Sequence, residues 1–334
     1  MSRTRAVLSV WVCALAIVAT AQDAQFTQFY AAPTYISPGF AGTGAQTRLG
    51  LSYRDQWPAI PGSFVTANFA MDHYLSDLNS GIGLLVTHDK AGSGALRYTS
   101  VAAQYAYEIE LKRKVFLRPA LQFGWVNHAV DYSRLVFGDQ LARGGTTGTY
   151  ENMDGTSIGY ADIAGGALFF TPKLWLGVSL HHMNRPNQSL LRNESRLPSR
   201  FSMHGGYRLS IRTPVIKEHP QSIVLAFNFR SQEKYDQLDL GAYFERDPFF
   251  AGLWYRGVPL FKRYAPGYAN NDALAVLVGV KVNDLRVGYS YDITISRLAG
   301  HSAGAHEITL GYEIVQAYKK RAASRRRIVP CAKF

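Results

Sequence analysis

Apolar residues recur at every second position along most of this chain. The clearest stretch is LRVGYSYDITI, where Leu285, Val287, Tyr289, Tyr291, Ile293 and Ile295 share one face and Arg286, Gly288, Ser290, Asp292 and Thr294 the other. EITLGYEI repeats the pattern, with Ile308, Leu310, Tyr312 and Ile314 opposite Glu307, Thr309, Gly311 and Glu313. LWLGVSLHH sets Leu174, Leu176, Val178 and Leu180 together, and Leu49, Leu51 and Tyr53 alternate with Gly50, Ser52 and Arg54. A period of two is that of a strand with one apolar face. It predicts about fourteen strands, beginning near Arg48, Ser63, Ser80, Ala95, Lys114, Ser157, Lys173, Ser199, Ser222, Tyr235, Phe249, Ala273, Leu285 and His306. Several are longer than the roughly 5–6 residues of soluble strands and match the roughly 9–11 of a tilted transmembrane strand.

The links between strands sort by parity. After strands 2, 4, 6, 10 and 12 stand SDLN, KRK, TPK, RDP and ND, and only RTPVIKEHPQ after strand 8 is longer. After strands 5, 7, 11 and 13 the links are long, including Asp131 to Thr156 and Asn184 to Pro198. Tight turns at one end and large loops at the other are the plan of an outer-membrane barrel. A soluble β-sandwich has no reason to sort its loops in this way. No segment after Ala21 is long and apolar enough for a membrane helix, the longest strongly apolar run being Ala273 to Val280. A chain that crosses lipid in strands must close its sheet, because every backbone N–H and C=O needs a partner there. The reading is therefore all-β: a transmembrane antiparallel β-barrel.

The front end is set apart from that fold. Arg3 and Arg5 precede an apolar run from Ala6, and Ala19-Thr20-Ala21 is a small-x-small site. These features mark residues 1–21 as an export signal cleaved after Ala21. Cleavage would remove Cys13 and leave Cys331 as the single cysteine, open to an intermolecular or chemically special role. The formal net charge of +12 falls to +3 once the two leader arginines and the seven cations of the last sixteen residues are set aside. The basic excess is thus concentrated in KKRAASRRRIVPCAKF. Export removes such a run from nucleic acid, leaving an anionic surface or an acidic protein partner.

Candidate chemistry is sparse. His181 and His182 are neighbours, and strand geometry would turn them to opposite faces. Asp131, Asp139 and Glu151 share one long loop. Ser157 centres a GTSIG string, but a nucleophile elbow needs a strand before it and a helix after it, and here a loop precedes and a strand follows. No catalytic, cofactor-binding or metal-binding residue is assigned. More informative is QDAQFTQFYAAPTYISPGFAGT, between the signal and the first strand. Its aromatic and amide residues are too apolar for a solvated linker, and Pro33, Pro38, Gly39 and Gly42 should break regular structure. A barrel of this size has a lumen to fill, so residues 22–47 suit a plug or a rim contact.

That segment, followed by RLGLSYRDQWPAIPGSFVTANFAMD, GLLVTHDKAG and the terminal RRRIVPCAKF, resembles the PorP/SprF family of outer-membrane proteins of type IX secretion and gliding systems in Bacteroidota. The resemblance spans the chain and is densest between Gln22 and Gly92. The block Arg54, Gln56, Trp57, Pro58 belongs to it; Ser37 stands where the family's turn would carry asparagine. It implies a barrel of about fourteen strands akin to long-chain fatty-acid transporters, without enzymatic activity or cofactor. It also implies a role in secreting a cargo protein that carries a C-terminal sorting domain, or in holding it at the cell surface.

The resulting plan is a signal (1–21), a plug-like lead-in (22–47), a barrel (48–316) and a basic tail (317–334). An even strand count puts both barrel ends on the short-turn side, so the tail would be periplasmic. Residues expected to contact partners are Phe26, Phe29, Tyr30, Pro33, Pro38, Arg54, Gln56 and Trp57, with Lys319, Lys320, Arg321, Arg325, Arg326, Arg327 and Cys331 in the tail. The expected partners are the cargo, periplasmic secretion components or peptidoglycan-linked proteins, and outer-membrane lipid, with no nucleic acid. The rival reading is an outer-membrane transporter or porin for small hydrophobic or polar solutes, which requires a continuous lumen.

Overall fold

The computed structural model describes residues 23–44, 47–92, 96–145, 148–150, 156–190, 193–212, 221–258, 263–265, 268–314 and 329–330. The export signal and Lys319, Lys320, Arg321, Arg325, Arg326, Arg327 and Cys331 of the tail lie outside them.

Fourteen strands close into one antiparallel barrel. They are β1 (Thr47–Gln56), β2 (Phe64–Leu75), β3 (Ser80–Ala91), β4 (Leu96–Tyr107, resuming at Ile109–Lys112), β5 (Val115–Val130), β6 (Ser157–Phe170) and β7 (Leu174–His181). The second half is β8 (Arg200–Arg212), β9 (Gln221–Gln232), β10 (Tyr235–Arg246), β11 (Phe249–Gly257), β12 (Asn271–Val282), β13 (Leu285–Thr294) and β14 (Ala305–Ile314). Each strand pairs with its neighbours in sequence. The seam is made by β1 and β14, in register from Thr47 opposite Ile314 to Gln56 opposite Ala305. Each of these strands has a ladder partner on both sides, and that lets a sheet cross lipid. Among the described residues no helix is long and apolar enough to cross a membrane.

The alternation read from the sequence is turned inside out relative to a soluble protein. Leu51, Phe69, Leu121, Phe123, Leu253 and Val278 are exposed on the outer surface. Their polar neighbours Ser52, Arg54, Asn68, Asp72, Gln122 and Asp292 are buried in the lumen. An apolar belt outside and charges inside is the membrane-barrel arrangement.

Residues 23–44 lie inside the barrel. Two of their prolines begin turns of helix where the sequence pointed only to broken structure: α1 is Pro33–Ile36, and a 3₁₀ turn covers Pro38–Phe40. Proline suits a first helical position, where its missing N–H costs no bond and its fixed φ is already helical. Ser37, at the position where the family resemblance anticipated asparagine, caps the second turn by accepting from Gly39 N at 3.3 Å. Phe29, Tyr30, Ile36 and Phe40 of this segment form the main apolar cluster with Leu168, Trp175, Tyr243, Trp254 and Leu277 of the wall.

Candidate functional site

The inserted segment is held by an ionic belt on the inner wall. Period-two alternation brings Arg54 of β1, Asp239 of β10, Arg256 of β11, Asp292 of β13 and Glu307 of β14 inward, and barrel closure brings the last two beside Arg54. Arg54 reaches Asp292 at 2.7 Å and Glu307 at 3.1 Å. Arg256 reaches Asp292 at 2.9 Å and Asp239 at 3.0 Å. Thr27 sits between the two guanidinium groups. Its hydroxyl accepts from Arg54 at 2.7 Å and from Arg256 at 3.0 Å, and donates to Asp292 at 2.8 Å. The Glu307 carboxylate accepts the backbone N–H groups of Thr27 and Gln28 at 2.7 and 2.8 Å. Such charge-assisted bonds contribute roughly 1.5–3 kcal/mol each. Gln28 completes the attachment by donating to the Glu307 carbonyl at 3.1 Å and accepting from Thr309 at 2.7 Å.

The rest of the segment is fastened around the circumference. The Thr34 carbonyl accepts from Gln104, that of Ile36 from Ser179, and that of Ala41 from Arg118, whose other arm pairs with Glu108 at 2.9 Å. Gly42 N donates to Asp72 at 2.8 Å. The chain passes so close to β3 that a Cβ on Gly81 would collide with the Ala41 carbonyl oxygen, and one on Gly288 of β13 with the side-chain oxygen of Gln28. Glycine at such places permits a close approach of backbone.

A second ionic group lies where the segment begins. Asp23 pairs with Arg200 at 2.6 Å and with His182 Nε2 at 2.8 Å, while His182 Nδ1 faces Asp162 at 2.9 Å. This corrects the expectation that adjacent histidines diverge. His182 has φ of 56°, which breaks the alternation after β7, so both rings are buried inward, with centroids 6.3 Å apart. His181 contacts the Ile36 carbonyl instead. Among the described residues no histidine, cysteine and carboxylate cluster could hold a metal.

Above Asp23, Ala24 and Gln25, toward the long loops, a cavity of about 660 Å3 opens. Its wall includes Gln56, Trp57, Phe64, Tyr98, Arg200 and Arg230. Trp57 has φ of 60°, donates its N–H to the Gly304 carbonyl at 2.8 Å and packs edge-on against Phe64. The structure therefore gathers Gln56 and Trp57 at this vestibule. Arg54 lies below it in the belt. Phe26, Phe29, Tyr30, Pro33 and Pro38 are buried between segment and wall, so in this state they face the barrel itself. At the opposite end, Val329 is buried in the main apolar cluster, and the Pro330 carbonyl accepts from Arg208 Nε at 3.0 Å. Sequence reasoning gave no role to Asp239, Arg256, Asp292, Glu307 and Asp23, and set His182 aside as diverging from His181. Their only signal was charge on inward positions, and which of them meet depends on closure.

Fold and site together define a membrane-spanning β-barrel whose lumen is occupied by its own N-terminal segment. Residues 18–312 match the family described as type IX secretion system membrane protein PorP/SprF, and the chain belongs to that family. Its members are secretion-system components of the outer membrane. Among curated proteins none matches the chain in sequence. Similar solved structures include the CymD monoaromatic hydrocarbon channel, with 10% identity, a TM-score of 0.45 and coverage of 88% of this chain and 94% of that one. The Pseudomonas putida toluene transporter TodX gives 10% identity and a TM-score of 0.41, over 87% of this chain and 93% of its own. CdiB from Acinetobacter baumannii gives 10% identity and a TM-score of 0.37; 80% of this chain is covered, but only 60% of CdiB.

Proposed function

We propose that the protein is a non-enzymatic outer-membrane accessory of type IX secretion that helps secrete a cargo protein or anchors it at the cell surface. The short-turn end is read as periplasmic and the long-loop end as outward. Cargo would engage the outward loops, chiefly Asp131 to Thr156 and His182 to Ser199. The basic tail would serve periplasmic partners by long-range attraction. The observation that carries this reading, given the family, is the occupied lumen. Residues 23–44 are bonded to strands on every side, with paired charges and an aromatic cluster around them. A solute transporter needs a path through that space, and this segment stands in it.

The test is affinity purification of the intact barrel from outer membranes in mild detergent, with mass spectrometry of what accompanies it. A large secreted protein or periplasmic secretion components should co-purify, and the periplasmic set should fall away when residues 319–334 are removed. A barrel recovered alone, together with solute flux in liposomes, would overturn the reading in favour of a transporter.

A further inference from the structure

The vestibule carries a pattern that the ionic belt does not account for: several amides on its wall have one end held and the other end unengaged. Gln56 Oε1 accepts from Arg54 Nε at 3.4 Å. Gln232 Nε2 donates to the Pro198 carbonyl at 3.2 Å, and Gln237 Nε2 to Asp239 at 2.9 Å. The partners fix which end is which, because arginine only donates and a carbonyl or carboxylate only accepts. Among the described residues the Gln56 NH2 group and the Gln232 and Gln237 carbonyl oxygens meet no partner, and all three residues line the cavity. Donors and acceptors are thus offered side by side.

Charge in the cup is largely spent. Arg200 is paired with Asp23, Arg230 with Asp239 at 3.0 Å, and His182 with two carboxylates. Asp89, Asp236, Asp272 and Lys234 also line the cavity, and Asp89 accepts from Thr66 through Oδ1 at 2.6 Å. The surplus is therefore acidic, which opposes an anionic ligand. Trp57 and Tyr98 add aromatic side chains to the lining. A hydroxyl both donates and accepts, and a ring of hydroxyls with an apolar C–H face matches half-held amides beside aromatic rings. The volume of about 660 Å3 lies in the usual range for ligand pockets, roughly 300–1,000 Å3.

We infer that the vestibule is a binding site for a neutral oligosaccharide, gripped by Gln56, Gln232 and Gln237 and stacked on Trp57 or Tyr98. This does not rest on the secretion reading, because the isolated barrel should bind with no cargo present.

The experiment titrates the full barrel, in lipid nanodiscs or a detergent without a sugar head, with neutral tetra- to hexasaccharides built from glucose, mannose or N-acetylglucosamine. Calorimetry is the readout, with quenching of Trp57 fluorescence beside it. A sulfated hexasaccharide and an uncharged hexapeptide are run in parallel. At least one neutral saccharide should saturate, the two controls should not, and Gln232→Ala with Gln237→Ala should weaken binding at least about tenfold. The thermal resistance of the barrel on gels should stay unchanged in that double variant. Failure of every neutral saccharide to saturate in the millimolar range would overturn the inference. So would preference for the sulfated ligand or the peptide, or unweakened binding by the double variant. Trp57→Phe separately tests the stacking, since it should abolish the fluorescence change while calorimetric binding persists.

Discussion

Arg54 is the most exposing place to perturb the lumen. Its guanidinium is buried, lies 2.7 Å from Asp292 and 3.1 Å from Glu307, and donates to the Thr27 hydroxyl at 2.7 Å. Arg54→Ala would strip Glu307 of its cation while leaving that carboxylate enclosed. Removing one partner of a buried pair costs about 3–5 kcal/mol. The lower end applies here, because Arg256 still holds Asp292 at 2.9 Å and Thr27 at 3.0 Å. Part of the loss should appear in the inserted segment, since Thr27 is a shared partner of both arginines. Urea unfolding in lipid vesicles, followed by tryptophan emission, should therefore show a barrel less stable by about 3 kcal/mol. Limited proteolysis should cut within residues 23–44 faster than in the native protein. Pairing Arg54→Ala with Glu307→Gln in a double-mutant cycle should recover at least about 1 kcal/mol, as expected for groups in contact. A stability change under about 0.5 kcal/mol, with the segment equally protected, would refute the view that this belt holds it in place.

Gly81→Val should force the Ala41 carbonyl away from β3, at about 1–3 kcal/mol or more for overpacking; a rise in conductance across planar bilayers reads displacement of the segment, and unchanged conductance counts against it. Leu121, 64% exposed on the outer face of β5, should tolerate alanine, whereas Leu121→Arg should cost about 2–4 kcal/mol near the bilayer midplane, measured as folding yield into vesicles. In the long loop after β5, the Tyr150 backbone N–H, then the Thr149 hydroxyl and Arg143, hold the Asp139 carboxyl below its ordinary value of 3.8. A depressed folded pKa gives stability that is present above the unfolded value and lost as pH falls through the folded one. The Tyr150 amide resonance should accordingly stay constant at neutral pH and move only below about pH 4, and Asp139→Asn should abolish that titration.

The strand starts near Arg48, Ser80, Tyr235, Phe249 and Leu285 were legible because a half-buried strand writes its two environments alternately into the chain. Loop parity was legible for a similar reason, since tight turns and long loops differ in length, but it breaks at the outward link between β9 and β10, which is only Glu233-Lys234. The pattern failed at His182, where a left-handed backbone turns a residue to the face that alternation denies it. It also failed in the prolines of the inserted segment, whose helical turns depend on the wall around them.

Sequence alone determined that the chain is a closed all-β barrel with one apolar face, since every second residue must meet either lipid or lumen whatever its distant neighbours are. Only the tertiary structure decided what the lumen holds. Arg54 and Glu307 are 253 positions apart, and neither their pairing nor their grip on Thr27 leaves a local trace. Such contacts arise when β14 closes onto β1, so their energy belongs to the ring and not to either strand.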